Sequence, residues 1–495
     1  MSQRISQGQL ETYLWGAATL LRGTIDAGEY KDFIFPLLFL KRLSDVFDEE
    51  YAAALQDSNS DPTYALLPEQ HRFQIPAGAH WGEIRTTTTD VGKALAGAMR
   101  EIEVANPRLF GVFGDAPWTN KERLPDSVLR DLIEHYSTIR LDLKNVPEDE
   151  LGIAYEFLIK KFADDSGHTA AEFYTNRTLV HLMTQMLEIK PGDSVYDPTC
   201  GSGGMLLSAA DELRSQGLEH RTLKLFGQER NLTTSAIARM NLFLHGIEDF
   251  EIVRGDTLAD PTFLEGDQLR QFDVVLANPP YSIKQWDRVA WQSDKWGRNR
   301  YGTPPQGRAD YAFWQHILCS MDSVTGRCAI LFPHGVLFRD EERQMRARMI
   351  TADVVEAVIG LGPNLFYNSP MEACVVVCRS VKPRSREGQV LFIDASHEVV
   401  RERAQSYLTP INIAHIVDSY RKFGTEPGFS ATATLAEIAA NRNNLSIPLY
   451  VKRKAAENAD ADLPDALRAW RESSSDLRVS AGKLFDLLAS EGAAL

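Results

Sequence analysis

The sequence predicts an α/β protein: a mostly parallel sheet covered on both faces, preceded by an N-terminal helical domain and followed by a C-terminal helical tail. Between Ser194 and Asp394, apolar runs of strand length alternate with amphipathic helical stretches. Before about residue 150 the apolar residues recur every three to four positions, and after about residue 460 they step strictly by four and three. A chain of 495 residues is too long for one ordinary core. These textures place the expected domains at 1–150, 151–425 and 426–495.

Composition narrows the class. Hydrophobic residues make up 44% and charged residues 24%, as in soluble globular proteins. No apolar run reaches the roughly 18 residues of a membrane span, and the opening MSQRISQGQLE lacks the apolar centre of a signal peptide, so a cytoplasmic protein is expected. Cys200, Cys319, Cys328, Cys374 and Cys378 form no CxxC pair and lie mostly in apolar runs, which suits reduced thiols and offers no metal site. The net charge is −15, so phosphate backbones are repelled unless basic residues are concentrated locally or a partner supplies them.

In chain order, Phe33, Leu37, Leu40, Leu43 and Phe47 mark a core-facing helix with Lys41, Arg42 and Asp45 between them. Asn106 to Pro125 is a turn-rich connection. From Glu148, helical spacing through Leu151, Tyr155, Leu158 and Phe162 leads to a break at Gly167, then to Glu172-Phe173-Tyr174-Thr175-Asn176-Arg177 and a helix through Leu179, Leu182 and Met186. Strands are expected at Ser194 to Asp197, Leu223 to Gly227, Glu251 to Arg254, Asp273 to Ala277, Cys328 to Phe332, Val354 to Gly360, Cys374 to Cys378 and Val390 to Asp394. Helices fall near Met205 to Arg214, Thr233 to Leu244, Tyr311 to Met321 and Asp340 to Met349. In the tail, Leu463, Leu467, Trp470, Ser474, Leu477, Ala481, Leu484 and Leu488 form a narrow seam suited to another helix, although Ser473 to Asp476 equally reads as a break between two short helices.

Chemistry gathers at strand ends. The buried run Phe272 to Ala277 closes on Asn278-Pro279-Pro280-Tyr281, where two prolines forbid the strand from continuing and leave polar groups at its carboxyl edge. Val195 to Gly204 runs strand, Gly-rich turn, helix: Asp197 ends the strand, and Gly201, Ser202, Gly203 and Gly204 let the backbone approach a ligand. The turn lacks GxGxxG spacing and a GK[ST] sequence, so it supports neither a dinucleotide nor a triphosphate loop. Glu229 ends the next strand, where a carboxylate accepts hydrogen bonds from both hydroxyls of a ribose, and Asp256 follows the third, placed to accept from an adenine amine. Each acid alone is an ordinary solvated loop charge. Four successive strand ends bearing ligand groups outweigh that reading.

Together these residues resemble an S-adenosylmethionine-dependent amino-methyltransferase: Asp197 to Gly204 as the cofactor loop, Glu229 for the ribose, Asp256 for the adenine, Asn278 to Tyr281 as the catalytic motif. More closely, nearly the whole chain resembles the methylation (M) subunit of type I restriction-modification systems, an N6-adenine DNA methyltransferase. Phe33 to Ser44, Glu172 to Thr175, Ala309 to Phe313, Pro333 to Arg339 and Phe392 to Ser396 carry that match. The resemblance implies a Rossmann-like sheet, S-adenosyl-L-methionine as cofactor, and Glu172 to Arg177 packed over its methionine end; Asn176 stands where the family usually has proline. It also implies a specificity subunit bound by two copies of this chain, a restriction subunit that joins for cleavage, and double-stranded DNA as substrate.

The residue types fit that chemistry. An aromatic amine is a poor nucleophile, so positioning and dipoles must do most of the catalysis. Asn278 and the Pro279 carbonyl supply acceptors for the amine and Tyr281 a stacking face, with Phe366 or Tyr367 as candidate second wall for a flipped adenine. Lys284, Arg288, Lys295, Arg298, Arg300 and Arg308, interleaved with tryptophans, read as a phosphate-facing loop. Only about 70 residues follow position 425, too few for a base-reading domain of usual size. Base choice is therefore expected from the specificity subunit, docked on the 463–488 seam. Asn-Pro-Pro-Tyr motifs also resemble those of glutamine and ribosomal RNA methyltransferases, against which the helical N-terminal domain and the tail argue; a non-catalytic scaffold sits poorly with intact Asn278, Tyr281, Glu229 and Asp256.

Overall fold

The structure, a computed structural model, describes residues 5–165, 175–365, 372–401 and 406–452, together with helical residues 467, 468, 470, 471, 473–475, 477 and 480. Its strands are β1 (Ser194–Asp197), β2 (Lys224–Glu229), β3 (Phe250–Arg254), β4 (Leu264–Glu265), β5 (Gln268–Leu269), β6 (Val274–Ala277), β7 (Arg327–Pro333), β8 (Val355–Leu361), β9 (Ala373–Arg379), β10 (Gln389–Ala395) and β11 (Ser430–Thr434). Nine of them form one sheet in the order β11-β10-β8-β9-β7-β6-β1-β2-β3, while β4 and β5 make a separate hairpin. β9 and β11 run antiparallel to their neighbours and the other seven are parallel. All eight expected strands are present.

Side chains alternate across a strand, and here each face has its own cover. Val195, Leu225, Val274, Leu276, Ala329 and Leu331 pack under the helices Arg177–Leu187, Gly204–Ser215 and Pro410–Lys422. Tyr196, Phe226, Val275, Ala277, Cys328 and Ile330 meet Trp314 and Ile317 of the helix Asp310–Cys319 and Met349 and Ile350 of the helix Arg343–Thr351. Burial on both faces is why β6 to β9 read as continuous apolar runs. The five cysteines are unpaired.

The N-terminal helical layer is joined to the sheet by one shared helix. Ala236, Ile237, Met240 and Leu244 of the helix Leu232–Leu244 enter the helical core, whereas its Ala238 and Leu242 enter the core under the sheet. Arg239 reinforces the joint by donating to the carbonyls of Phe110 and Gly111. The long helix Tyr30–Asp57 buries Lys41, Arg42 and Asp45 along with its apolar residues. Arg42 donates to the carbonyl oxygens of Leu141 and Val146 at 2.5 and 2.7 Å, and Asp45, paired with Lys41, accepts the Leu141 N–H at 2.6 Å. The charges between the apolar positions thus clamp the 141–146 turn instead of facing water.

One boundary moves. β11 pairs with β10, and Leu445, Ile447 and Val451 are buried against the sheet, so the sheet unit runs past residue 425 to about 451. In the seam, Leu467, Trp470 and Leu477 are 43%, 65% and 71% exposed, while Leu463, Ala481, Leu484 and Leu488 lie outside the described residues. Among the described residues no helix is long and apolar enough to cross a membrane. Replacing Arg42 by Ala strips two buried carbonyls of their donor; a loss of about 3 kcal/mol is expected, read as a lower urea midpoint with the sheet's circular-dichroism signal otherwise intact.

Candidate functional site

Strand order reverses at β1: β2 and β3 lie on one side of it, β6 and β7 on the other. The connections therefore leave the carboxyl edge in opposite directions and open a crevice between the ends of β1 and β6. A pocket occupies that place, lined by Glu156, Thr175, Arg177, Asp197, Gly201 and Asn278 among others. Residues from three expected motifs, the 172–177 segment, the glycine-rich loop and the Asn-Pro-Pro-Tyr motif, thus meet in one cleft.

Asp197 ends β1 and is 2% exposed. Burial pushes its carboxyl up to about 8; the hydrogen bond from the Thr199 N–H, at 3.0 Å, opposes that rise, and nearby Glu229 adds to it. The following turn passes through Gly201 and Gly203 at φ +53° and +78°, the left-handed region glycine tolerates best. A second glycine requirement lies on the neighbouring strand, where a Cβ on Gly227 would meet the Cys200 Sγ at 2.9 Å. The turn then opens the helix Gly204–Ser215.

Glu229, at the end of β2, is tied to this turn. Its carboxylate accepts the N–H of Gly201 at 3.1 Å and of Asn231 at 2.8 Å. Asp256, beyond β3, accepts the N–H groups of Leu258 and Ala259 through one oxygen, and Arg230 stands 3.6 Å from the other. Both acids are half-buried beside the cleft, and neither lines the cavity itself.

On the far wall, the Asn278 amide nitrogen donates to the Thr175 hydroxyl at 3.0 Å, and the Tyr281 hydroxyl donates to the Asn278 Oδ1 at 2.9 Å. The amide is therefore oriented, nitrogen toward Thr175 and oxygen toward the opposite side. Asn176 fixes Thr175 in turn, because its buried amide donates to the carbonyls of Leu365 and Ser406. Arg177 forms an ion pair with Glu156. Glu156 was not foreseen; the only signal in the sequence is its place beside Tyr155 on a helix whose apolar face is core. Glu172, Phe173, Tyr174, Phe366 and Tyr367 lie outside the described residues.

The basic loop divides. Arg298 is only 1% exposed: its guanidinium pairs with Asp294 at 2.6 Å, donates to the carbonyls of Thr257 and Leu258, and lies 4.6 Å from the Trp291 ring. It holds the loop against the sheet and is withdrawn from any phosphate, contrary to expectation. Arg300 borders a surface pocket with Gln271, Ser323 and Val354, which precede β6, β7 and β8, so it sits toward the opposite edge of the sheet. Lys284 and Lys295 are exposed, Arg288 donates to the Pro304 carbonyl, and Arg308 stands 3.7 Å from Glu341.

Residues 146–459 match the N-6 DNA methylase family and residues 10–136 the HsdM N-terminal domain. The type I restriction enzyme MjaVII methylase subunit of Methanocaldococcus jannaschii is 30% identical over 482 residues, which cover 92% of this chain and 79% of that protein. The MjaIX methylase subunit of the same organism is 28% identical over 488 residues, covering 91% and 85%. Among solved structures, the type I restriction-modification system methyltransferase subunit from Streptococcus thermophilus aligns with a TM-score of 0.78 at 29% identity, over 91% of this chain and 100% of that one.

Carbon-detected titration of Asp197 should give a midpoint near 8, shifted down but not restored to the ordinary carboxylate range by Glu229→Gln, since burial is the larger cause. The linked stability is full below the unfolded carboxylate pKa of 3.8 and is lost as pH rises through about 8; Asp197→Asn should abolish that pH dependence.

Proposed function

The chain belongs to the N-6 DNA methylase family as an M subunit of the type I restriction-modification kind, and from that premise we propose that it transfers a methyl group from S-adenosyl-L-methionine to N6 of a flipped-out adenine in duplex DNA. The observation that carries this reading is that Asp197 and Asn278, from strands on either side of the order reversal, line one cavity.

The residues fit the cofactor. The glycine turn leaves room for close approach, the buried Asp197 carboxyl gains its charge when it meets a cation, and Glu229, already held by two N–H groups, retains acceptor capacity for ribose hydroxyls. Asp256 beside it is the acceptor for the adenine amine, and Thr175 to Arg177 close the end of the cleft nearest Asn278. When bound, the cofactor supplies an activated sulfonium methyl.

The rest is positioning by the chain. With its nitrogen held by Thr175, the Asn278 amide presents Oδ1 as an acceptor, the role that the Tyr281 hydroxyl satisfies until a base arrives. An exocyclic amine that donates to Asn278 Oδ1 and to the Pro279 carbonyl is drawn toward a pyramidal geometry, its lone pair free for the methyl group. Tyr281 supplies a stacking face. A paired adenine cannot reach this cleft, so the base leaves the duplex, and the unstacking is offset by these contacts.

Base choice belongs to a partner. The exposed Leu467, Trp470 and Leu477 offer an apolar docking strip for it. A specificity subunit holding two copies of this chain, joined by a restriction subunit for cleavage, fits a chain of net charge −15 that binds DNA weakly alone.

Incubating the chain with labelled S-adenosylmethionine and duplex DNA should place label in DNA when the specificity subunit is co-expressed, and little without it. Label in protein, or equal activity from the isolated chain, contradicts the reading. Asn278→Ala should lower transfer by about 100-fold or more while cofactor affinity, measured by calorimetry, stays within about twofold.

A further inference from the structure

Asn278 and Tyr281 are held through their side chains, but Pro279 and Pro280 have no N–H, so the motif's backbone needs an anchor elsewhere. That anchor is Ser282. Its backbone turns left-handed, with φ +53°, and its N–H donates to Asp310 Oδ1 at 2.7 Å. Asp310 opens the helix Asp310–Cys319, is 1% exposed, and accepts through its other oxygen from Arg339 Nη2 at 2.6 Å. Arg339 lies in the loop after β7, with its Nε 3.0 Å from the wholly buried Glu342. Three segments are thereby locked together: the turn after β6, the helix over the sheet, and the loop after β7.

The surroundings hold Arg339 in place. A Cβ on Gly335 would meet its guanidinium at 3.2 Å, so a larger residue there would crowd it, and Arg346 donates to the carbonyls of Val336 and Arg339. A buried ion pair is a poor way to gain stability, since apolar residues of the same volume often serve as well. What a carboxylate with both oxygens engaged does provide is a fixed position for the N–H it accepts. Here that N–H follows the residue whose ring must face the base.

We propose that Asp310 and Arg339 are positioning residues for methyl transfer, acting through the Ser282 N–H to aim Tyr281 and the Pro279 carbonyl. The inference rests on the functional reading above. Neither side chain touches reacting atoms, so both act on the rate of the bound complex and not on binding.

The test uses the full chain in complex with its specificity subunit and has two readouts. Asp310→Asn and Arg339→Met should each lower kcat by about tenfold to a hundredfold, with KM for DNA and cofactor affinity within about twofold. The double variant should lose no more than either single one, and Arg339→Lys should recover part of the rate. Hydrogen exchange should quicken at Tyr281 and Ser282 in both variants. Unchanged exchange overturns the anchoring whatever the activity, and faster exchange with an unchanged kcat overturns the role in catalysis. Loss of rate in parallel with cofactor affinity marks a merely structural pair and overturns it too. If Asp310→Asn does not fold, Arg339→Lys carries the same readings. A wild-type complex that transfers no methyl group to DNA counts against the functional reading, while exchange still decides the anchor.

Discussion

The molecule depends on a constraint of parallel sheets: every strand delivers its carboxyl end to the same edge, and only where strand order reverses does that edge open. β1 and β6 flank that reversal. Pro279 and Pro280 then forbid β6 from extending, so the Asn278 amide is left at the rim of the opening, across from Asp197. The central parallel strands, buried on both faces, hold the rim in place, and a fixed rim is what catalysis by positioning requires.

Charge is managed by the same logic. The chain carries a net −15, yet several of its basic residues are spent inside the fold: Arg298 on Asp294, Arg42 on two carbonyls, Arg339 on Asp310, and Arg379 and Arg386 on Glu356. Arg298, Arg42, Arg339 and Arg386 each hold a loop or turn to the scaffold, and Arg379 ties β9 to β8. Near the motif, Arg298 is withdrawn from phosphates and Arg300 sits toward the opposite edge of the sheet, which agrees with the proposed reliance on a partner to hold DNA.

Much of this was legible in the sequence because two-sided burial writes itself as apolar runs, and because prolines and glycines mark strand ends. Asp197, Glu229, Asp256 and Asn278 stand out as candidates by their places after those runs, and the structure brings Asp197 and Asn278 to one pocket. What escaped was set by tertiary contact. β11, reading Ser-Ala-Thr-Ala-Thr, is an edge strand of small residues with no apolar run to announce it, so the sheet unit looked shorter than it is. Arg298 carries the local pattern of a surface cation, and only the carbonyls of Thr257 and Leu258, some 40 residues away, explain its burial. The Thr175 to Asn278 hydrogen bond spans 103 residues and has no local signature. The link from Ser282 through Asp310 to Arg339 is equally silent, although it joins motifs that stood out one by one.

The central claim is that the Asn278 amide addresses an exocyclic amine on adenine. Mass spectrometry of nucleosides from DNA methylated by the complex tests it most directly. The account predicts N6-methyladenine as the modified base. A methyl group on a ring carbon of cytosine, which demands a covalent nucleophile that the Asn-Pro-Pro-Tyr motif does not supply, would contradict it.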